Sequence, residues 1–453
     1  MKNTKQGMAA RRAALSVLSR VEDEGAYVNL ALSDILAQES LDIRDKRLAA
    51  EIAYGVVTYR LTLDWLITHV ADRPAEKLDS LIRRVLRLGF YQLFYLDRIP
   101  ASAAVNTSVE LVKAGKKRGL SSFVNGVMRG ALRKKNNLPW PKKEEDPLRY
   151  LTLQYAHPEW LVKRWLKRLG AEDAEALLAA NNRTAPLSVR VNTLKTDRDR
   201  LLARLQENGI EARPGDVTPE HITIQGAGRL TNLEAYREGF FQVQGESAML
   251  TSRILDPQPG ERILDGCSAP GGKTTHLAAL MQNRGEIVAL DIHPHRLKLV
   301  EANCRRLGIG IVQTMCVDAQ EADTGKLGWF DRILLDVPCS GFGVIRRKPD
   351  LKWRRTETDI AQLARVQTKM LTACSELLKP GGVLVYSTCT NEPEETTRVV
   401  AALLQQDKSM ETDDLRPFLP EAWRNDVTEP GIQLYPHVHG VDGFFISRLK
   451  KKS

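Results

Sequence analysis

The strongest constraint in this sequence is a rhythm that begins after Gln244: a short apolar run, a polar residue, a turn, a helical stretch, then another apolar run. The runs are Arg262–Asp265, Glu286–Asp291, Ile311–Val317, Phe330–Asp336 and Gly382–Ser387, with helical spacing between them, as over His295–Leu307. Apolar strands alternating with helices predict a doubly wound, Rossmann-like parallel sheet. Ligands on such sheets bind beyond the carboxyl ends of the strands. Asp265, Asp291, Asp318, Asp336 and Cys389 all fall at or just past those ends, so the chemistry is expected there.

The first turn, Asp265-Gly-Cys-Ser-Ala-Pro-Gly-Gly272-Lys273-Thr274, follows a strand and opens a helix. Such a turn presses backbone amides and a helix N-terminus against a polar ligand. A phosphate-binding P-loop needs glycine five residues before Gly272, where this chain has Cys267; Gly266 is one residue too early. A G-x-G-x-x-G dinucleotide turn is also absent. The remaining reading is a nucleoside without a pyrophosphate, which calls for carboxylates. Asp291 is placed to accept ribose hydroxyls and Asp318 the adenine amino group, although either acid alone is more often a strand-end turn residue.

Two of the six cysteines, Cys339 in Asp336-Val-Pro-Cys-Ser-Gly341 and Cys389 in Ser387-Thr-Cys-Thr390, follow the fourth and fifth strands. If these strands are neighbours, both thiols and Asp336 share one crevice. That set suits methylation of carbon 5 of cytosine, a poor nucleophile until a thiolate adds to carbon 6 and makes the ring enamine-like. Spacing does not rank the two cysteines. Cys304, Cys316 and Cys374 read as small buried hydrophobes, while Cys267, within the turn, is left open between packing and reacting, with packing favoured. With no C-x-x-C pair and no histidine at ligand spacing, neither a disulfide scaffold nor a structural metal site is expected, in keeping with a reducing cytoplasm.

Upstream the grammar differs. From Arg11 to about Lys135 apolar residues recur at helical spacing, as in Leu81, Val85, Leu86 and Phe90, predicting an all-helical domain over 1–140. It carries 23 Lys and Arg against 14 Asp and Glu, nearly all of the chain's net charge of +10. That asymmetry fits contact with a polyanion, and equally a solvated helical surface. Its basic turn Lys113–Gly119 and its end, Arg129, Arg133, Lys134 and Lys135, could hold phosphates or simply cap helices. A proline-rich linker near Pro139–Pro147 opens a region over 141–244, in which helices (Glu159–Leu169, Ala171–Asn181, Arg198–Asn208) alternate with strand-like Leu187–Val191 and His221–Ile224, predicting a small α+β connector. The Rossmann-like domain takes 245–453. No apolar stretch is long enough to span a membrane, and the N-terminus lacks a signal-peptide core. A soluble, unsecreted chain is expected.

The segments DGCSAPGGKTTH, LLDVPCSGFGVIRRKPDLKW and VYSTCTNEPEE closely resemble the signatures of the bacterial Sun/Fmu (RsmB-type) family of ribosomal RNA cytosine methyltransferases. The helical region, in RRAALSVLSRVEDEGAYVNLAL and LDSLIRRVLRLGFYQLFYLDRIPASAAVNTSVELVK, resembles that family's NusB-like RNA-binding domain. The resemblance implies Cys389 as nucleophile, Cys339 as the group that assists product release, and Asp336 as a base-positioning residue. It implies S-adenosylmethionine held by Cys267, Ser268, Ala269, Pro270, Gly271, Gly272, Lys273, Thr274, Asp291, Asp318 and Asp336, with no metal. Ser268 departs from the family, which usually has Ala there. The implied substrate is small-subunit RNA, at cytosine 967 of 16S ribosomal RNA, a base in a hairpin loop that can be swung out at low cost. A cytoplasmic monomer is expected, and Arg346, Arg347 and Lys348 are candidates for phosphate contacts. Against this stand a non-catalytic RNA-binding module, suggested by the helical domain, and a P-loop nucleotidase, already weakened by register.

Overall fold

The computed structural model describes residues 7–115, 117–225 and 230–453, so Lys116 of the basic turn and the first six residues lie outside the described residues. It forms two compact units: the chain up to Arg183 together with Ile345–Arg354, and Thr184–Val344 with Arg355–Ser453.

The first unit is helical: α1 (Met8–Asp23), α2 (Val28–Gln38), α3 (Ile43–Thr58), α4 (Arg60–Ala71), α5 (Ser80–Tyr95), α6 (Ala101–Ala114), α7 (Ser121–Lys134), α8 (Pro147–Gln154), α9 (Glu159–Leu169) and α10 (Ala171–Asn181). Asp42 and Asp79 cap α3 and α5 by accepting from amides of the first turn. Helix α5 is the core element, with Ile82, Val85, Leu86, Leu88 and Phe90 buried among Leu18, Ile52, Leu63 and Met128. It also buries Arg84 and Arg87. A buried cation needs a partner, and Arg84 pairs with Asp23 at 2.6 Å while Arg87 pairs with Asp64 at 2.6 Å and Glu22 at 2.7 Å. Part of the N-terminal positive charge is therefore neutralised inside the fold. Lys134 and Lys135 donate to the carbonyls of His69 and Leu93, as helix-end cations do.

Ile345–Arg354 is anchored within this helical unit. Asp350 accepts from Val28 N, the first amide of α2, at 3.2 and 3.3 Å, where a helix dipole favours a carboxylate. Trp353 donates to Val57 O at 2.7 Å and Arg354 to Gly25 O at 2.7 Å. Of Arg346, Arg347 and Lys348, only Lys348 is exposed, and the two arginines are half-buried.

In the second unit the connector is an antiparallel sheet of β1 (Leu187–Val191), β2 (Glu211–Pro214), β3 (His221–Gln225) and β4 (Phe241–Val243), in the order β2-β3-β1-β4. The expected β1 and β3 are present. The pairing strands β2 and β4 carry too few apolar residues to announce themselves. The large sheet contains β5 (Arg262–Asp265), β6 (Glu286–Leu290), β7 (Val312–Met315), β8 (Phe330–Asp336) and β9 (Leu378–Thr388), all parallel in the order β9-β8-β5-β6-β7. These are the five expected strands. The sheet is mixed rather than wholly parallel, because β13 (Phe444–Lys451) pairs antiparallel with β9. β13 in turn carries β10 (Met410–Thr412) and β12 (Gly431–Leu434), and β12 carries β11 (Val427–Thr428). β9 starts earlier than its apolar run because Leu378 pairs with Phe330 before a register irregularity.

Arg190 joins the connector sheet to the helix Gly272–Leu280. Its guanidinium, 1% exposed, donates to Gln244, to Gly272 O at 2.6 Å and to Thr275 Oγ1 at 3.0 Å. Burial disfavours its charge, and Glu220 opposes that effect. Replacing it by methionine (Arg190→Met) keeps much of the volume but removes three hydrogen bonds made by a buried cation, at a cost of about 2–4 kcal/mol. Urea denaturation should show the midpoint falling at unchanged slope; an unchanged midpoint would mean that these hydrogen bonds contribute nothing net.

Candidate active site

The order β9-β8-β5-β6-β7 brings the strand ends named from the sequence into one row, with neighbours about 4.8 Å apart. At the end of β5, buried Asp265 accepts from Thr274 Oγ1 at 2.7 Å and is pushed up to about 6 by burial. The turn after it is fastened at several points. Ser268 gives both its amide (2.8 Å) and its hydroxyl (2.9 Å) to Leu290 O at the end of β6, a tie that alanine would halve. Asn303 donates to Pro270 O at 2.9 Å and Arg296 to Ala269 O at 3.2 Å. Gly271 has φ +96°, and a Cβ there would lie 3.0 Å from Val300 Cα, so only glycine suits the closure of turn onto helix. Cys267 packs against the core beneath β8 and β9, and burial pushes its thiol far above the usual range.

Lys273 separates this turn from a phosphate loop a second time. Its Nζ is 2.6 Å from Asp336 Oδ2, at the end of β8. The amine is therefore engaged across the sheet, where a P-loop lysine would reach a phosphate. Asp291, after β6, accepts from His293 N at 2.9 Å and faces Arg296 at 3.2 Å. Asp318, after β7, accepts from Gln320 N at 2.9 Å and from the Gln320 side chain at 3.0 Å. Both acids thus shape their own turns while standing at the ligand end of the sheet. Between Asp291 and His293, Ile292 is 51% exposed. Nothing in the sequence marks it, because an apolar residue there reads as more strand.

Strands β8 and β9 are neighbours, and their register sets Asp336 opposite Ser387. Ser387 Oγ donates to Asp336 Oδ1 at 2.8 Å. Just beyond, Cys339 Sγ and Cys389 Sγ are 3.2 Å apart, both half-buried. Gly343 N donates to Cys389 O at 3.0 Å and Gly443 N to Gly343 O at 2.8 Å. A Cβ on Gly343 would lie 2.0 Å from Gly443 O, so the close approach requires glycine.

A buried acid that sequence reasoning missed holds the Cys339 loop. Glu395 accepts from Ser340 N at 2.8 Å, from Ser340 Oγ, and from Gln367 Nε2 at 3.0 Å, while Gln367 also reaches Pro338 O at 2.9 Å. Ser340 Oγ and Thr390 Oγ1 are 2.8 Å apart, linking the two cysteine loops. In Asn391-Glu-Pro-Glu-Glu395 the acids read as a solvated run, yet Glu392 and Glu395 are fully buried. The Cys339 thiol is pushed well above its usual range, first by its hydrogen bond with Cys389, then by burial, with Glu395 and Asp336 adding to the effect. Cys304 and Cys374 are buried among apolar residues as expected. Cys316 is not: it is exposed beside Ile292 O, because β7 ends at Met315.

Comparison with known proteins agrees with this arrangement along the whole chain. The family described as 16S rRNA methyltransferase RsmB/F matches residues 252–450, the NusB family residues 8–133, and the RsmF/B-like ferredoxin-like domain residues 157–231. A Bacillus subtilis protein named probable ribosomal RNA small subunit methyltransferase B is 39% identical over 98% of this chain and 99% of its own length. An Escherichia coli protein named ribosomal RNA small subunit methyltransferase B is 36% identical over 98% of each. Among solved structures, PH0851 superposes with a TM-score of 0.84 at 28% identity, over 98% of this chain and 99% of that one. NSun6 from Pyrococcus horikoshii, solved with SFG, superposes at 0.58 and 28% identity over 65% and 98%. From its NusB-like helices through its ferredoxin-like connector to its mixed-sheet catalytic domain, the chain belongs to the RsmB/F family of RNA methyltransferases.

Proposed function

We propose that this chain methylates carbon 5 of one cytosine in small-subunit ribosomal RNA, cytosine 967 by the family's usage, with Cys389 as the nucleophile. The observation that carries the reading is the pair of sulfurs 3.2 Å apart at the ends of adjacent parallel strands, beside Asp336 and next to a glycine turn flanked by carboxylates. Names of relatives over nearly the full chain support the RNA class. The functional parts are the helices over 1–140 for RNA, the connector over 141–244, and catalysis over 245–453. A cytoplasmic monomer suffices for this work.

The site's donor set fits S-adenosylmethionine. The turn from Cys267 to Thr274 offers amides and a helix N-terminus without a free phosphate-binding lysine, and Asp291, Asp318 and Asp336 offer carboxylates for a ligand with hydroxyls, an amine and a cationic sulfur. Exposed Ile292 suits the apolar face of its adenine. Likeness to NSun6, solved with an analogue of that cofactor, supports the choice. When bound, S-adenosylmethionine supplies a methyl group made electrophilic by its positive sulfur.

The residues of this chain make the cytosine able to accept that methyl. Cys389, as thiolate, forms a bond to carbon 6, and the ring's electron pair moves to give an enamine at carbon 5. Asp336 is fixed by Lys273 and Ser387, so its carboxyl can hold the polar edge of the ring in one orientation. After carbon 5 has gained its methyl, a base removes the proton from carbon 5, that C–H electron pair re-forms the double bond between carbons 5 and 6, and the C–S electron pair leaves on Cys389 as thiolate, restoring the aromatic ring. Cys339, in contact with the leaving sulfur, assists that release. Its surroundings favour the protonated thiol, in keeping with a helper rather than the nucleophile.

Two outcomes follow. Cys389→Ala should form no covalent complex with RNA and transfer no methyl, whereas Cys339→Ala should form the complex and release it slowly, leaving protein and RNA joined through denaturing electrophoresis; the opposite pattern would exchange the two roles. Calorimetry should show saturable binding of S-adenosylmethionine and none of ATP, and ATP binding without S-adenosylmethionine binding would contradict the cofactor assignment.

A further inference from the structure

Of the cavities in the helical unit, two that border its arginines and aromatic rings differ in the charge of their walls. The larger, about 520 Å³, is bordered by Arg60, Arg83, Arg87 and Arg354, but also by Glu22, Asp23, Asp64 and Asp350. Those charges largely satisfy one another: Arg87 binds Asp64 and Glu22, Arg83 faces Glu22, and Arg354 faces Asp350. It reads as an ion-pair network.

The other cavity, about 340 Å³, has no carboxylate among its described lining residues. Its wall is aromatic, from Tyr59, Phe94, Tyr95, Trp140 and Tyr155, and Arg183 stands exposed at the rim. Core packing accounts for only part of this wall: Tyr59, Phe94 and Tyr95 lie partly buried against the helical core, whereas Tyr155 and Trp140 are not part of that packing and Trp140 is 37% exposed. The rings are supported from behind. Tyr59 stacks on Tyr95 at 4.2 Å and Trp140 leans on Trp65 at 4.6 Å. Asn182 is fixed beside them, donating to Tyr155 O at 2.7 Å and accepting from Lys352 Nζ at 3.3 Å. Lys135 Nζ lies 5.6 Å from the Phe94 ring centre, at the end of α7, where Arg133 and Lys134 are also exposed.

We propose that this cavity receives an unpaired nucleobase of RNA, stacked on the aromatic wall, while Arg183 and the cations closing α7 face the flanking phosphates. Its volume lies within the ~300–1,000 Å³ of sites that enclose a small ligand. Every base offers a π-face to such a wall, and stacking contributes about 1–3 kcal/mol per base. A proline-rich peptide could also lie on aromatic rings. It gains nothing from a cationic rim with no acid in the wall, so the charge favours the polyanion. The inference rests on RNA being the substrate of this chain, and places a second grip on that RNA in the helical unit.

The test uses the full-length protein and a short single-stranded oligoribonucleotide carrying 2-aminopurine, with the same strand in a duplex as a second probe. Wild type should quench the 2-aminopurine emission of the single strand and leave the duplex unchanged. Trp140→Ala should weaken single-strand binding about 5- to 150-fold, Trp140→Phe should restore much of it, and Arg183→Glu should weaken binding and flatten its salt dependence. Melting temperatures of the variants should match wild type. If Trp140→Ala melts early, recovery in Trp140→Phe and loss in Arg183→Glu carry the decision. Equal binding by wild type, Trp140→Ala and Arg183→Glu, equal quenching of the duplex, or displacement of the oligonucleotide by a proline-rich peptide would overturn the proposal. Methylation of ribosomal RNA, measured in parallel at saturating RNA, should persist in Trp140→Ala; a wild type without methylation would refute the proposed function and leave the binding result to stand by itself.

Discussion

The pairing of β8 with β9 is the constraint from which the rest of the site follows. Its register sets Asp336 opposite Ser387, and the two loops that leave the strands bring Cys339 and Cys389 to 3.2 Å. A slip of one residue would turn each side chain of the moved strand to the other face of the sheet, separating carboxylate from hydroxyl and thiol from thiol. The register is held on both sides, since β8 also pairs with β5 and β9 also pairs with β13. The antiparallel extension thus protects β9 from becoming an edge strand, at the place where its last residues lead into the cysteine loop.

Beyond the strands, polar groups take over the positioning. Glu395 satisfies the backbone and hydroxyl of Ser340, and Gln367 bridges Glu395 to the carbonyl of Pro338, on either side of Cys339. Burial raises the pKa of Glu395, while the hydrogen bonds from Ser340 and Gln367 work in the opposite direction. Near Cys339, this acid and Asp336 both oppose a second negative charge. One network therefore fixes the loop and adds to the rise of the Cys339 thiol, which is compatible with the proposed order of roles that spacing in the sequence left open.

Legibility in the sequence followed burial chemistry. The five parallel strands were readable because strands covered on both faces are nearly continuous apolar runs, and the residues at their ends were readable because that end of such a sheet carries the ligand. The antiparallel strands after Cys389, and β2 and β4 of the connector, are short or mixed in polarity and gave no comparable signal. Charged residues were the larger gap. Arg190, Glu392, Glu395 and Lys352 are fully or almost fully buried, and a charged letter reads as surface until its partners are known. The same effect inflated the apparent basic face of the helical domain, where Arg84 and Arg87 turn out to serve internal carboxylates. Cys316 went the other way, exposed because its strand stops one residue earlier.

The proposed mechanism requires Cys389 to be the thiolate of the pair. The direct measurement is the pH dependence of alkylation by iodoacetamide at each cysteine, followed by peptide mass spectrometry on the native protein, since the thiolate is the reactive form. Cys389 should gain reactivity at lower pH than Cys339, and Cys339 should become reactive at lower pH in Cys389→Ser, where the competing thiolate is gone. Earlier ionisation of Cys339 in the wild-type protein would contradict the assignment of Cys389 as nucleophile.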